Sequence, residues 1–389
     1  MKRFLLFAVA AILFAACSKD DTDIPNINPQ PKNEIWYTAT AKVNPYKEDV
    51  FGANIVSNEW DEATGEGVIT FDGEVKVIGD YAFTICDNLI SMIIPDGVTE
   101  IGDFAFYWCD NITTVTIPDS VTEIGVSTFS SCPKFAEFKG KYAADGGRCL
   151  IMDNAIIAYA EASGTTYTIP DGVTSIREKA FSSCASLTSV TLPNSITSVG
   201  NAAFSSCSSL VEFKGKYAAD GGRCLIVDDT LVAYATGSGT TYTIPDGVTK
   251  IEDGTFGACV SLTSVTIPDS VITIGDTAFA FCASLTSVTI GNSVAEIGEY
   301  AFSGCMSLAS VTIPDSVTKI GDGAFYTCYS LNSVYCKATT PPTLGVDVFA
   351  DNAADRKIYV PASEDDSIIN AYKGESNWSN YASYIFEEE

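Results

Sequence analysis

Along the middle of the chain, apolar and polar positions recur with a period of 23 residues. Cysteine sets the ruler at Cys86, Cys109, Cys132, Cys184, Cys207, Cys259, Cys282, Cys305 and Cys328, with gaps of 23 except for two of 52. Phenylalanine keeps the same beat three residues earlier, from Phe83 and Phe106 to Phe302 and Phe325. Proline follows it at Pro95, Pro118, Pro170, Pro193, Pro245, Pro268 and Pro314, with Gly291 on the missing beat. The unit at residues 262–279 shows what the period builds. Val265 and Ile267 alternate with hydroxyl residues, the period-2 pattern of a half-buried strand. Pro268 cannot donate to a ladder, so Pro-Asp makes a corner. Val271 and Ile274 then point back to the core, and Asp276 is expected to cap a short helical turn that brings Phe279 and Cys282 inward. One such coil cannot bury its apolar face alone; stacked coils share a continuous core.

The recurring phrase L-x-x-V-x-I-P-x-x-V-x-x-I-G-x-x-A-F-x-x-C, repeated nine times over about residues 76–334, resembles the BspA-like leucine-rich repeat family of bacterial surface proteins. The resemblance implies a right-handed leucine-rich-repeat solenoid, β-rich with short helical turns, used for display and adhesion. It implies no catalytic residue.

Two insertions interrupt the beat near residues 137–166 and 212–241. The segment 137–151 recurs letter for letter at 212–226, so a long and a short unit were duplicated together. Each reads as an extended coil with its own hairpin, turning at Asp228-Asp229 in the second copy and projecting from one face. The hairpins are locally basic and aromatic. Lys141, Tyr142 and Arg148, with Lys216, Tyr217 and Arg223, are the candidate ligand contacts, because Tyr and Arg are enriched at binding hot spots. The competing role, favoured by the pattern, is that Tyr packs the hairpin while Lys and Arg offset local acids. Outward strand positions such as Ser264, Thr266, Ser287 and Thr289 make a hydroxyl surface without aromatic anchors.

The ends depart from the repeat. Residues 33–75 read as an N-terminal β cap with strands near 35–40, 52–57 and 67–71. Residues 335–389 read as a C-terminal cap, with a strand at 357–360 and an aromatic helix over 366–384. Trp378, Tyr381 and Tyr384 fit cap packing rather than a sugar platform.

At the start, Lys2 and Arg3 precede an apolar run over residues 4–16, too short to span a bilayer and suited to a secretory signal. It ends in Ala15-Ala16-Cys17, similar to a lipobox in which Cys17 is lipidated. Residues 1–16 are then a signal peptide and 17–32 a lipidated end with a Pro/Asn-rich tether. The Ser-Lys-Asp-Asp run after Cys17 resembles a surface-export signal. The address is the bacterial outer membrane, lipid-anchored and surface-exposed, with a periplasm-facing orientation as the alternative.

Composition narrows the chemistry. With 22 basic and 49 acidic residues the formal charge is −27, which argues against a nucleic-acid partner. The absence of histidine removes Ser-His-Asp and Cys-His catalysis and imidazole metal sites. The acids recur at turn beats such as Asp96, Asp119, Asp269 and Asp315, where repetition serves folding and not a catalytic pair. Neither a compact D-x-D-x-D loop nor a C-x-x-C pair is present, so no metal, cofactor or catalytic residue is assigned. Neighbouring cysteines in equivalent positions do not aim their Cβ atoms at each other in pairs, which favours buried free thiols over a disulfide ladder. The function that follows is a non-enzymatic cell-surface binding module for a host protein, another cell or a glycan. The alternative is a structural or accessory envelope lipoprotein without an external ligand. Several Asp-Ser-Val turns resemble an O-glycosylation motif, which the turn itself also explains. Oligomeric state is not written in the sequence.

Overall fold

A computed structural model describes residues 30–388. The signal segment, Cys17 and most of the tether lie outside the described residues. The chain divides into two compact units, Met1–Met152 with Ala158–Ser163, and Asp153–Ile157 with Gly164–Glu389.

Each 23-residue coil is held to its neighbours along three walls. In the second unit the first wall is a parallel ladder in which Thr241 pairs with Ser264 and Ser264 with Ser287. Val265 is buried between the less buried Ser264 and Thr266, so the alternation in sequence is the alternation of faces. The second wall is a ladder of two-residue strands, Lys250–Ile251, Thr273–Ile274, Glu296–Ile297, Lys319–Ile320 and Thr343–Leu344, each burying its second residue. In the third, the N–H groups of Thr277, Phe279 and Phe281 donate to the carbonyls of Glu299, Ala301 and Ser303 one coil on, at 2.7–2.8 Å. The intervening N–H groups of Ala280 and Cys282 stay within the coil, donating to Thr277 and Phe279. This alternation replaces the expected helical turn. Thr277 and Phe281 take φ of +52° and +60°, which a helix excludes, because every second donor has turned toward the next coil.

Asp276 likewise does not cap its own turn. Its Oδ1 accepts from the N–H of Glu299, 2.7 Å away in the next coil, and Asp253 does the same for Asp276. In the first unit Asp80 serves Asp103, and Asp103 serves Val126. The glycine of the Ile-Gly pair makes room for this carboxylate. A Cβ on Gly298 would lie 2.5 Å from Asp276 Oδ1, a distance no side chain tolerates. The Asp-Ser-Val turns are similarly occupied: Ser120 Oγ accepts from Gly97 N–H and donates to the Val98 carbonyl.

Inside the coils the phenylalanines stack. Phe256, Phe279, Phe302 and Phe325 are 4.6–5.2 Å apart between centroids with interplanar angles of 1–12°. Phe83, Phe106 and Phe129 form the corresponding stack in the first unit. Among the described residues the cysteines are buried thiols. Six thiols of the central column, those of Cys109, Cys132, Cys207, Cys282, Cys305 and Cys328, donate to the carbonyl of a Phe in the preceding coil, and Cys86 donates to that of Asn44. Cys282 reaches Phe256 at 3.2 Å, Cys305 reaches Phe279 at 3.3 Å and Cys109 reaches Phe83 at 3.0 Å. A small hydrophobe with a weak donor is what this position requires. Burial pushes several of the thiols up, to about 12 for Cys86, Cys328 and Cys336.

The ends are closed by other structure. Strands β1 (Glu34–Ala39), β2 (Ile55–Asp61) and β3 (Glu66–Phe71) form an antiparallel set in the order β2-β3-β1. β1 also lies antiparallel to the first coil's strand Leu89–Ile93 and satisfies its open edge. β2 begins later than the pattern predicts, because Asn54 is bound through N–H and side chain to the Asp72 carboxylate and holds a turn there. At the other end Lys357–Val360 continues the parallel ladder, followed by helix α1 (Ser367–Gly374). The expected single helix is interrupted at Asn377, whose φ is +62°, and Trp378–Tyr384 continues as a 3₁₀ segment. A spacing of three between Trp378, Tyr381 and Tyr384 is the 3₁₀ period. Trp378 is fully buried, donates to the Pro342 carbonyl and meets Tyr372 edge-on at 4.9 Å. The last strand, Ile385–Glu387, pairs with Lys357–Val360 and has no counterpart in the sequence reading.

Thiols this buried and this weakly acidic are unreactive toward disulfide reagents. In a chain beginning at Ser18, labelling with a thiol reagent at neutral pH is expected to reach none of the cysteines until denaturant is added. Rapid labelling of the folded chain would contradict the packing described.

Candidate ligand-contact surface

The duplicated hairpins are built into the wall rather than projecting from it. In the second, Cys224–Val227 pairs antiparallel with Thr230–Tyr234, turning at Asp228 and Asp229, both in the left-handed region. Thr230–Tyr234 then pairs in parallel with Lys250–Ile251, taking a place in the second wall. Its side chains explain this. Cys224, Leu225, Leu231, Val232 and Tyr234 are all buried, so the hairpin is apolar on both faces and must be covered on both.

The six candidate residues divide by type. Arg223 is drawn down onto the coil: its guanidinium lies 4.6 Å from the Tyr242 ring centroid, 3.6 Å from Asp220 Oδ2, and donates to the Thr241 carbonyl at 3.0 Å. Arg148 makes the equivalent pair with Asp145 at 3.5 Å but reaches a different tyrosine, the Tyr159 hydroxyl, at 3.2 Å. Both arginines therefore fasten their own hairpins. Lys141 lies over Tyr142 at 5.1 Å and Lys216 over Tyr217 at 4.8 Å. Lys216 also donates to the carbonyls of Asn194 and Ile196. Lys141 is exposed, while Tyr142 and Tyr217 are half-buried and keep an outward face. Within each hairpin these features are brought together; the arginines and Lys216 are engaged by the fold, and Lys141, Tyr142 and Tyr217 keep a face at the surface.

The hydroxyls just before each strand are committed, while Ser264, Thr266, Ser287 and Thr289 keep the outer face of the wall. Thr263 Oγ1 donates to the Thr240 carbonyl and Thr286 Oγ1 to that of Thr263, one coil back each time. Sequence reasoning missed an aromatic column at the end of the first wall. Tyr335 pairs with Tyr359 and Tyr359 with Phe386, in the register that carries threonine earlier. The first two rings stack at 4.9 Å, and Lys357 lies over Phe386 at 5.6 Å. The signal was present at Tyr335, which falls on the beat of Thr312; Tyr359 is masked by a one-residue lengthening of the last coil.

One place where the two hairpins differ is electrostatically informative. Glu161 in the first corresponds to Thr236 in the second. The Glu161 carboxylate is buried and accepts from the Cys132 N–H at 3.1 Å, while Thr236 Oγ1 donates to the Cys207 carbonyl. Burial raises Glu161 from 4.5 to about 7, outweighing the hydrogen bonds from Cys132 and Ser131 that favour the ion. A raised carboxylate stabilises the fold fully below pH 4.5, and that contribution is lost as pH rises through 7. Glu161→Gln keeps an acceptor and removes the charge. At pH 8 urea unfolding should show the variant more stable by on the order of 2 kcal/mol, with the difference vanishing near pH 4.5. A variant that is less stable at pH 8 would overturn this account of Glu161.

Among solved structures the chain is similar to a leucine rich cell surface protein from Faecalibacterium prausnitzii, 27% identical, with 87% of this chain and 100% of that chain covered and a TM-score of 0.49. It is similar to a leucine-rich repeat protein from Bacteroides ovatus, 26% identical, covering 81% and 88%, with a TM-score of 0.35. It is also similar to the pneumococcal vaccine antigen PcpA, 19% identical, covering 87% and 84%, with a TM-score of 0.48. No curated protein matches it in sequence. The family model for the BspA type leucine rich repeat region matches six copies at residues 62–143, 156–217 and 232–354, well over half of the chain. With the 23-residue coils, the stacked phenylalanines and this match in agreement, the chain belongs to the BspA-type leucine-rich-repeat family.

Proposed function

We propose that this chain is a non-enzymatic binding module, anchored through lipid at Cys17 to the outer membrane and presenting its coils outward to a protein, a cell or a glycan. The observation that carries the reading is where the repeated polar residues go. The aspartates of the Ile-Gly-Asp turns accept from the next coil and the threonines donate to the preceding one, so the recurring polar groups serve stacking and not chemistry. What departs from the repeat lies at the surface: the Lys141–Tyr142 and Lys216–Tyr217 pairs and the terminal Tyr335–Tyr359 column. Many modest contacts along such an array suit multivalent attachment, where linked weak sites multiply. The cell-surface protein of Faecalibacterium prausnitzii belongs to the same kind of fold, and the reading accords with its description.

Two measurements test this. Protease shaving of intact cells is expected to release the chain; resistance favours the accessory, periplasm-facing role. The chain from Ser18, immobilised, is expected to capture matrix proteins, bacterial cells or glycans saturably. Substituting Tyr142 and Tyr217 by Ala should weaken capture by about tenfold if the pairs are anchors. Unchanged capture would move the contact away from the hairpins.

A further inference from the structure

The first unit carries an exposed aromatic group that the hairpin reading does not use. On the third wall of its first two coils, Tyr81 stacks on Phe104 with centroids 5.1 Å apart and planes 7° apart. Phe104 meets Tyr107 edge-on at 5.4 Å, and Tyr107 stacks on Trp108 at 4.9 Å. Tyr46 is brought alongside by its N–H bond to the Ala82 carbonyl. The group is open to solvent: Tyr46 is 63% exposed, Trp108 51% and Ile85 51%.

Their backbone is that of the repeat. Tyr81, Ile85, Phe104 and Trp108 sit at φ of +56° to +60°, and the same beats in the second unit, held by Lys179, Ser183, Ala202, Ser206, Phe281 and Tyr300, also have positive φ. What distinguishes the first two coils is that all four of these positions carry large apolar side chains.

The sequence of these coils is acidic: between Lys76 and Lys134 it has eight carboxylates and no Lys or Arg. Two lysines border the group, Lys47 at Tyr81 and Lys134, whose Nζ donates to Asn111 Oδ1. Asp87 and Asp110 are exposed two residues beyond Ile85 and Trp108. The nearby amides are already spent: Asn88 Nδ2 donates to the carbonyls of Ala41 and Lys42, and Asn111 Nδ2 to that of Asp87. A cation needs ring faces and carboxylates, and one already occupies the edge of the group, with Lys47 Nζ 4.7 Å from the Tyr81 centroid.

We infer that the Tyr81–Phe104–Tyr107–Trp108 surface takes a lysine- or arginine-rich segment of a partner protein, its cationic side chains seated on the ring faces and paired with Asp87 and Asp110. This deepens the reading of the chain as a binding module and rests on it. Opposite charge steers the approach, and the rings supply the contact.

The test uses the chain from Ser18 and deca-lysine as probe, followed by isothermal titration calorimetry at about 150 mM salt, where long-range attraction is screened. Saturable binding is expected, lost when the lysines are acetylated. Tyr81→Ala with Trp108→Ala should weaken binding about tenfold, whereas removing two remote acids, Asp355→Asn with Glu364→Gln, should change it by less than about twofold. Trp108→Phe keeps a ring face and should retain most of the affinity, which separates ring loss from misfolding. Equal weakening by the remote pair, equal binding of the acetylated peptide, or binding of a neutral oligosaccharide and not of deca-lysine would each overturn the inference. If the chain still captures matrix proteins while ignoring deca-lysine, the cationic surface fails and the binding-module reading stands. If it captures neither, both fail.

Discussion

Everything in this protein depends on the need of each coil to have its backbone groups satisfied by the next. A 23-residue coil is too small to close its own hydrogen bonds, so its N–H and C=O groups point along the stack on three walls. That constraint fixes the period. A shift of one residue would exchange Val265 with Thr266 on the core face and lift Phe279 out of its column. It also selects the residue types. Asp276 must reach across to Glu299 N–H, Gly298 must leave room for it, and Cys282 must be small enough to sit under the stack while offering a donor to Phe256.

The legibility of the sequence follows from this. Cys, Phe, Pro and the alternating Val-x-Ile recur because they answer demands made once per coil, so the solenoid could be read from spacing alone. Directions across coils were not readable. Asp276 looks like a local cap because caps and inter-coil acceptors use the same residue type, and only the left-handed φ at Thr277 and Phe281 decides between them. The hairpins were misplaced for a related reason. Their turns at Asp228-Asp229 were visible, but the burial of Val232 and Tyr234 on opposite faces depends on the coil that covers them. The C-terminal segment read as one helix because a spacing of three and a helical spacing are hard to separate over seven residues.

The surface was legible in proportion to how far it departs from the beat. Lys141–Tyr142 and Lys216–Tyr217 stood out because they lie in insertions, yet their neighbouring arginines turned out to be fasteners, held by Asp145 and Asp220. The Tyr81–Trp108 group and the Tyr335–Tyr359 column occupy ordinary beats with unusual side chains, a signal that a search for repeats averages away. A fold that consumes its regular polar residues in stacking leaves recognition to its irregular ones. In this chain those are aromatic rings, with lysines over Tyr142 and Tyr217 and exposed aspartates beside Ile85 and Trp108.

The central claim is that the 23-residue register, passed from coil to coil, is what folds the chain. It is tested most directly by deleting residues 264–286, which places Ser287 where Ser264 stood, and comparing this with a deletion of residues 264–285, which is one residue short. Thermal unfolding followed by circular dichroism should show a cooperative transition near that of the full chain for the in-register deletion. The off-register deletion should lose cooperativity, because the Asp276-type acceptors and the Phe stack no longer meet their partners. Equal stability of the two deletions would contradict the account.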